Sequence, residues 1–515
     1  MERGPSPAWV RALVETLRDA RWVRLLWVLR CPPAPAVRLF AGPGEWLARA
    51  WRGLDRRLLP PSPAALAVPA GPDPLDGLLQ VALPPDGPVP PEVVGADLDL
   101  LLVLCGAARP AALCAAARGG VWRAEAAAAG PAAGLYEVLA GDPVSAAAVT
   151  AWTADPAGGR TVWSSQLATD RASPGRNRSR LLWRCAAGLQ RALEDLAAGH
   201  HAAAGTDASP RAVDSPPSRP PGFLRPFAGF ALRRLRTGLV NLCCVNQWVV
   251  RLGRGDPLGA DLSGLATLRP PRGYSWADPF LLRGPAGWHL FVEEVEQGKG
   301  GGHIAAMAVD EDLRPGPAHT VLAEPYHVSY PFLMSLGDQL YLVPETSRAG
   351  AVTAYRCVEF PGRWERDRDL LTGLGAADAT LLEHEGRWWL FACLAAHPGS
   401  TPCEELFLFH AVDPLNGRWQ AHPRNPVVSD ARCARPAGRP FWHRGALLRP
   451  AQDCSVRYGY AVRLQRILRL SPTDYAEEEA AVLHPAARAI ATHTLNSAAG
   501  LFAVDAKVRR WRWSR

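Results

Sequence analysis

The stretch ADPFLLRGPAGWHLFVEE, residues 277–294, decides the fold of this 515-residue chain. An acid stands at the start of an apolar run, a glycine turn follows, and a second apolar run completes a two-stranded unit. The pattern, with an acid or a proline near its start, recurs at residues 329–346 (SYPFLMSLGDQLYLVPET), 377–394 (ADATLLEHEGRWWLFACL) and 435–453 (RPAGRPFWHRGALLRPAQD). A repeat of about 45 to 60 residues has the length of one four-stranded propeller blade.

The two ends of this region supply a fifth blade. VNQWVVRLG, residues 245–253, and THTLNSAAGLFAVDA, residues 492–506, both have strand patterns but lack a complete set of four strands. Pairing them would close the ring. We therefore predict an all-β five-bladed propeller over residues 223–515.

The first 199 residues have a different pattern. Residues 8–20 have the apolar spacing of an amphipathic helix, and short apolar runs follow at 23–29, 75–83 and 98–106, with alanine-rich stretches between them. Alternating strands and helices predict an α/β domain of Rossmann type with a parallel sheet. Residues 200–222 are rich in Pro, Ser and Ala without periodicity and predict a flexible linker.

Composition and cysteine spacing exclude several classes of protein. The net charge of +8 comes almost entirely from arginine, because lysine occurs only at Lys299 and Lys507, which indicates a coding bias rather than a nucleic-acid partner. The eleven cysteines form no CxxC or CxxH spacing. We expect reduced thiols, a cytoplasmic location, no metal site and no cofactor.

A basic amphipathic helix is predicted for FLRPFAGFALRRLRTGLV, residues 223–240. Two interpretations are open: packing against a neighbouring domain with the arginines in water, or a weak contact with a membrane surface. The chain has no apolar run long enough for a signal peptide core or a membrane span, so we expect a soluble protein.

The repeat also predicts a site. The first strand of each propeller blade delivers its leading residues to one central cavity, which should collect Asp278, His327, Tyr330, Asp378, Arg435 and His493, with Glu345 and Asp453 entering from second strands. Several carboxylates in one pocket suit sugar chemistry, because one acid must stay protonated and another ionised. Trp276 and Tyr330 are the expected aromatic platforms. Arg435, Arg449 and Gln452 are expected to bind an anionic or hydroxyl-rich part of the ligand.

Residues 245–506 resemble the five-bladed propeller superfamily of arabinanases, xylosidases and invertases. More closely, they resemble the N-terminal domain of glucosamine inositolphosphorylceramide transferases. The matching stretches are WADPFLL, HVSYPF, LVPET, ADATLL, GRWWLF, NGRWQAHPRNPV, ARPAGRPF, RPAQDCSVRYGYAV and HTLN. The resemblance implies that Asp278 is a base or nucleophile, with Asp378 and Glu345 as candidate partner acids.

Residues 98–195 carry a resemblance to the formyltransferase fold, in ARGGVWRAEAAAAG, YEVLAGDPVSAAAVTAW and AGGRTV. By this resemblance the catalytic Asn and His should fall near Arg123 and Glu125, and the catalytic Asp near Ala157. These residue types are absent, so we expect a degenerate domain in which Asp155 is a weak substitute.

Together these observations predict a carbohydrate-active protein that binds, and transfers or cleaves, a sugar or glycoconjugate in the propeller funnel. Two alternatives are open: a glycan-binding module without catalysis, and a sugar N-formyltransferase with an accessory propeller.

Overall fold

The computed structural model describes residues 6–30, 39–40, 43–83, 89–104, 113–153, 159–199, 222–284 and 287–513. The chain divides into two compact units, Met1–Arg236 with Ala396–Ser400, and Thr237–Ala395 with Thr401–Arg515. Of the predicted linker, residues 200–222, only Gly222 lies within the described residues. No helix in the described ranges is long and apolar enough to cross a bilayer.

Six helices lie wholly within the described part of the first unit. They are α1 (Ala8–Asp19), α2 (Gly44–Leu58), α3 (Pro91–Val94), α4 (Glu125–Ala128), α5 (Leu135–Ala140) and α6 (Pro174–Ala197), with 3₁₀ turns at Cys114–Ala116 and Gly130–Ala132. The helix predicted at residues 8–20 is therefore present, and it buries Trp9, Leu13 and Leu17 in the same apolar cluster as Leu181 and Leu189 of α6. Burial of that face, rather than helix propensity, stabilises α1.

Two sheets are present among the described residues of the first unit. Their strands are β1 (Trp27–Arg30), β2 (Leu79–Ala82), β3 (Leu101–Val103), β4 (Val121–Ala124), β5 (Val144–Trp152) and β6 (Arg160–Ala168). β1 pairs with β2 in parallel and β3 with β4 in parallel, but β4, β5 and β6 pair antiparallel. The prediction of a parallel sheet is thus wrong for the two pairings β4–β5 and β5–β6. The link from β5 to β6 is too short for a crossover, so the two strands form a hairpin.

Helix α7 (Leu224–Cys243) follows the linker. Phe223, Phe227 and Phe230 form an aromatic cluster with Trp51 of α2, with ring centroids 5.0 to 6.0 Å from that of Trp51. The predicted helix at residues 223–240 is present, and its phenylalanine face packs within the first unit.

The rest of the second unit consists of strands. After β7 (Cys244–Arg254) and β8 (Ala266–Leu268), three consecutive sheets follow. The first contains β9 (Tyr274–Gly284), β10 (Gly287–Glu296), β11 (Gly302–Val309) and β12 (His319–Leu322), and the second contains β13 (Ser329–Leu336), β14 (Gln339–Glu345), β15 (Ala351–Glu359) and β16 (Arg363–Thr372). The third contains β17 (Ala377–His384), β18 (Arg387–Cys393), β19 (Glu405–Ala411), β20 (Gln420–Ala421) and β21 (Val428–Ser429). A 3₁₀ turn, Ser347–Ala349, joins β14 to β15.

Two more sheets complete five blades. The fourth contains β22 (Phe441–His443), β23 (Ala446–Asp453), β24 (Ala461–Leu470) and β25 (Tyr475–Leu483), and the fifth contains β26 (Ala489–Ala491), β27 (Leu495–Ala498) and β28 (Leu501–Trp511) with β7 and β8. All eleven residues of β28 pair with β7, from Leu501 opposite Arg254 to Trp511 opposite Cys244. The last strand of the chain and the first strand of the unit thus lie side by side, as the sequence predicts.

Candidate functional site

Three first strands share the same backbone irregularity. Asp278 of β9, Tyr330 of β13 and Asp378 of β17 have φ values of 48°, 48° and 53°. Each lies in a β-bulge between two strand pairs, where the register with the second strand shifts. Left-handed backbone is unfavourable for an L residue, above all for a bulky one, and is characteristic of functional sites. The bulges redirect these side chains from the alternating pattern of the strand.

The second strands of the blades place side chains that can form hydrogen bonds at one equivalent position of the repeat. Glu293 pairs with Ala277, Glu345 with Ser329 and Cys393 with Ala377, in each case opposite the residue before the bulge. In the other two blades the amide of Gln452 donates to Arg435 O and the amide of Asp505 donates to Thr494 O. One position of the repeat therefore carries Glu293, Glu345, Cys393, Gln452 and Asp505.

Asp378 is held by two donors. Arg435 donates to both of its oxygens, from Nε at 2.7 Å and from Nη2 at 3.1 Å, and Gln452 Nε2 donates to Oδ2 at 2.7 Å. Arg435 Nη2 also donates to Glu345 Oε2 at 3.1 Å. Burial raises the pKa of Asp378, and Arg435 opposes this shift. One guanidinium thus joins two of the predicted carboxylates.

Asp278 belongs to a second group of charges. Its Oδ1 accepts from Thr494 Oγ1 at 2.7 Å, its Oδ2 accepts from the amide of Tyr330 at 3.2 Å, and His493 Nε2 lies 3.6 Å from Oδ1. Nδ1 of His493 contacts Asp505. Burial opposes the charge on His493, but Asp505 and Asp278 outweigh it and raise the His493 pKa. Burial also raises the Asp278 pKa.

This second group could hold a cation. One ligand atom from each of Asp278, His493 and Asp505 lies within 4.8 Å of the others, and all three residues are buried. Carboxylate oxygens and an imidazole nitrogen are common ligands of divalent metals. Neither spacing nor composition predicts the site, because its three residues come from β9, the segment before β27, and β28.

Glu293 and Glu345 differ in their surroundings. His327 Nδ1 accepts from the amide of Gly302 at 2.8 Å, so its Nε2 carries the proton, and that Nε2 lies 3.2 Å from Glu293 Oε1. Burial, followed by repulsion from Asp278 and Glu345, raises the Glu293 pKa well above its ordinary value. Burial acts in the same direction on Glu345, but Arg435 and further hydrogen bonds outweigh it and lower the Glu345 pKa. The site therefore pairs a carboxyl that favours its proton with one that favours its charge.

The aromatic groups beside the site are not the predicted ones. Trp276 is buried in an apolar cluster and its Nε1 donates to Glu294, while Tyr330 is 0 % exposed and its hydroxyl bonds to Thr380 and to the Gly438 amide. Neither ring has a face on which a sugar could stack, because alternation and the bulge direct both into the packing.

Two other aromatic residues, Tyr458 and Trp248, lie beside the charged groups. The Tyr458 side chain is 44 % exposed; its ring lies 5.2 Å from Arg435 Cζ and meets the ring of His493 edge-on. Trp248 stacks on His493 with ring centroids 4.1 Å apart. Both aromatic rings therefore border the charged groups.

Two predicted ligand-binding residues have other partners. Arg449 donates to both oxygens of Glu477, at 2.8 and 2.7 Å, and Asp453 accepts from Arg463 and from Ser455. Side chains alternate between the two faces of β23, so residues 449 and 453 point to the face opposite that of Gln452. The structure thus brings together Asp278, His327, Glu345, Asp378, Arg435, Gln452 and His493, and leaves Trp276, Arg449 and Asp453 outside, with Tyr330 packed beneath.

Glu293 and Asp505 were absent from the sequence prediction, yet the repeat contains the signal for both. FVE at 291–293 aligns with VPE at 343–345 and with AVD at 503–505 when the apolar runs of the second strands are superposed. Alignment of the second strands, rather than of the first strands alone, would have identified them.

In the first unit, Arg123 and Glu125 pair with each other, through Nε to Oε1 at 3.0 Å and Nη2 to Oε2 at 2.9 Å. This ion pair lies where the formyltransferase resemblance expects a catalytic Asn and His. Asp155 and Ala157 lie outside the described residues.

Residues 271–496 match the family model described as Glucosamine inositolphosphorylceramide transferase 1, N-terminal. The glucosamine inositolphosphorylceramide transferase 1 of Arabidopsis thaliana is 33 % identical over 206 residues, which cover 39 % of this chain and 27 % of that protein. That of Oryza sativa subsp. japonica is 33 % identical over 204 residues, with the same coverage. The resemblance of the propeller region is confirmed, and the match spans about a quarter of the length of these relatives.

Two of the solved structures that resemble part of this chain are glycoside hydrolases. Zg3597, a family 117 enzyme from the marine bacterium Zobellia galactanivorans, is 14 % identical and covers 51 % of this chain and 90 % of its own, with a TM-score of 0.35. The catalytic domain of the GH62 α-L-arabinofuranosidase of Coprinopsis cinerea is 13 % identical and covers 50 % and 97 %, with a TM-score of 0.35.

Proposed function

We propose that the propeller centre binds a sugar or glycoconjugate and catalyses its transfer or cleavage at the glycosidic carbon. The observation that carries the proposal is the pair Glu293 and Glu345, whose pKa values shift in opposite directions at equivalent positions of neighbouring blades. Acid–base chemistry at a glycosidic bond needs one protonated and one ionised carboxyl group at the same time.

In this proposal Glu293 donates a proton to the leaving oxygen and the Glu345 carboxylate acts as base or nucleophile. Their side chains are 12 % and 11 % exposed, so both retain contact with the funnel. Arg435 keeps Glu345 ionised and stands beneath Tyr458, which offers a stacking face to a sugar ring.

We assign Asp278 and Asp378 to positioning other side chains, and not to proton transfer or attack on the sugar. Both oxygens of each carboxylate already accept hydrogen bonds from the protein, and the two residues are 4 % and 2 % exposed. Asp378 orients Arg435, and Asp278 holds His493 and Thr494. The negative charge of the cluster also suits a cationic transition state at the sugar ring.

The match of residues 271–496 to the glucosamine inositolphosphorylceramide transferase model supports transfer as well as cleavage. The curated relatives carry the name of a transferase, and we propose a nucleotide sugar or an aryl glycoside as the donor class for this chain.

The test is a screen of the full chain against nitrophenyl glycosides and nucleotide sugars, with binding and turnover measured on the same panel. We expect turnover of at least one donor, and a loss of about 100-fold or more in kcat/KM for Glu345→Gln with binding retained. Binding of a sugar without turnover of any donor would instead identify a glycan-binding module. Formyl transfer from formyl-tetrahydrofolate to an aminosugar would support the N-formyltransferase alternative.

A further inference from the structure

Helix α7 has two apolar faces, and the structure covers only one of them. Phe223, Phe227 and Phe230 pack against Trp51. The second face is a leucine stripe, which we define as Leu224, Leu232, Leu235, Leu239 and Leu242; each of these side chains is more than half exposed. Spacings of three, four and eight residues place them on one side of the helix, away from the phenylalanines.

The leucine stripe is bordered by unopposed positive charge. Arg225 and Arg236 lie on one side of it and Arg234 on the other, by the periodicity of the helix. All three are exposed, α7 contains no acidic residue, and no carboxylate in the described part of the chain forms an ion pair with them. An apolar stripe between arginines matches the profile of a helix that lies in a lipid headgroup layer.

Tryptophans extend this surface at the C-terminal end of α7. The Arg512 amide donates to Cys243 O at 2.9 Å and Arg512 Nη2 donates to Asn241 O at 3.1 Å, so the end of β28 is attached to the last turn of the helix. Trp511 and Trp513, on either side of Arg512, are 63 % and 71 % exposed. Tryptophan favours the membrane interface because its ring is apolar and its indole N–H is polar.

We propose that α7 binds to the surface of an anionic membrane, with the leucine stripe inserted between headgroups and the arginines on lipid phosphates. A second copy of the chain fits less well, because two paired stripes would bring arginines together with no carboxylate to compensate their charge. The proposal does not depend on which reaction the propeller catalyses.

The test is co-sedimentation of the full chain with vesicles of phosphatidylcholine alone and of phosphatidylcholine with phosphatidylglycerol. We expect binding to the anionic vesicles, and weaker binding when NaCl rises from about 0.1 M to about 0.5 M. The double variant Leu235→Glu/Leu239→Glu should weaken binding about tenfold or more, because two exposed leucines that would insert between headgroups are replaced by charges that anionic lipid repels. Arg225→Gln/Arg236→Gln should weaken binding and reduce its dependence on salt.

The matched control is Val412→Glu/Leu468→Glu, which changes two exposed apolar residues of the propeller. It should bind vesicles like the parent, and all variants should keep the parent's melting temperature because the changed side chains are exposed. Equal binding by the control and by the leucine-stripe variant would overturn the proposal. So would a parent that does not bind anionic vesicles, or a parent dimer that only the leucine-stripe variant dissociates.

Discussion

Glu293 and Glu345 occupy the same position of the repeat on neighbouring blades, each on a second strand opposite the residue before a left-handed bulge. Only Glu345 receives a hydrogen bond from Arg435. Glu293 instead lies 3.2 Å from Nε2 of His327, and burial lowers the pKa of that histidine and so disfavours a positive charge beside Glu293. The same position of the repeat thus gives Glu293 a raised pKa and Glu345 a lowered pKa, because the Arg435 guanidinium bonds to Glu345 and not to Glu293.

Arg435 should be the most costly side chain of the site to remove. Arg435→Gln leaves Asp378 buried and Glu345 nearly so, both without their cation, and we expect the free energy of unfolding to fall by about 3 to 5 kcal/mol. Chemical denaturation would measure the loss. Arg466→Gln, which breaks a half-exposed pair with Glu478, is the control and should cost less than about 1 kcal/mol. Equal losses in the two variants would contradict the assignment.

His493 should stabilise the fold in a pH-dependent manner. Its pKa is raised in the folded state, so its contribution is fully present below the unfolded pKa of about 6.5 and is lost as pH rises through the folded pKa. The difference in melting temperature between the parent and His493→Gln should be largest near pH 6 and shrink toward alkaline pH. The same scan on His422→Gln should show the opposite trend, because burial lowers the pKa of His422 and the folded state therefore favours its neutral form. For His493→Gln, a difference that grows with pH would be inconsistent with a charged His493.

Asp278→Asn tests the hydrogen bonds around the first bulge. Oδ2 accepts from the Tyr330 amide, which cannot reverse its role, so an Asn nitrogen must take the place of Oδ1, where it would face His493 Nε2 at about the 3.6 Å of the present contact and would no longer offset the imidazole charge. We expect a loss of about 1 to 3 kcal/mol in stability together with reduced turnover. Asp338→Asn, in an exposed turn, is the control. A variant with the parent's melting temperature and turnover would contradict this role and show that Asp278 is an ordinary turn residue.

Ring closure can be tested by truncation. Deleting residues 490–515 removes every partner that β28 gives to β7, and we expect the cooperative melting transition of the propeller to be lost. Deleting only residues 514–515 should leave that transition unchanged. A truncated chain that melts like the parent would contradict the closure.

Much of the propeller could be predicted because its signal repeats. Each blade supplies an independent example of the same strand–turn–strand pattern, so a weak local pattern becomes strong in aggregate. The pairing of residues 245–253 with the C-terminal strand followed from counting blades. In the first unit no repeat was available, and strand direction depended on the loop between β5 and β6, which apolar periodicity does not encode.

The site was predicted in part. Asp278, Asp378 and Arg435 followed from the strand starts, and the structure brings all three to the centre. Trp276 was misplaced as a platform because alternation along β9 directs its ring into an apolar cluster. Tyr330 was misplaced because a β-bulge changes the face that its side chain occupies, and bulges are not visible in apolar patterning. Glu293 was missed because only the first strands of the blades were compared, whereas its equivalence to Glu345 lies in the second strands.

The division of labour between Glu293 and Glu345 is the central claim, and the pH dependence of kcat/KM tests it most directly. On any nitrophenyl glycoside or nucleotide sugar that the parent turns over, activity should fall at low pH as Glu345 gains a proton and at high pH as Glu293 loses one. Glu293→Gln should lose the high-pH limb along with about 100-fold or more of the activity, and Glu345→Gln the low-pH limb, while Glu383→Gln, in an exposed strand position, keeps both. Full activity with an unchanged profile in both site variants would contradict the account.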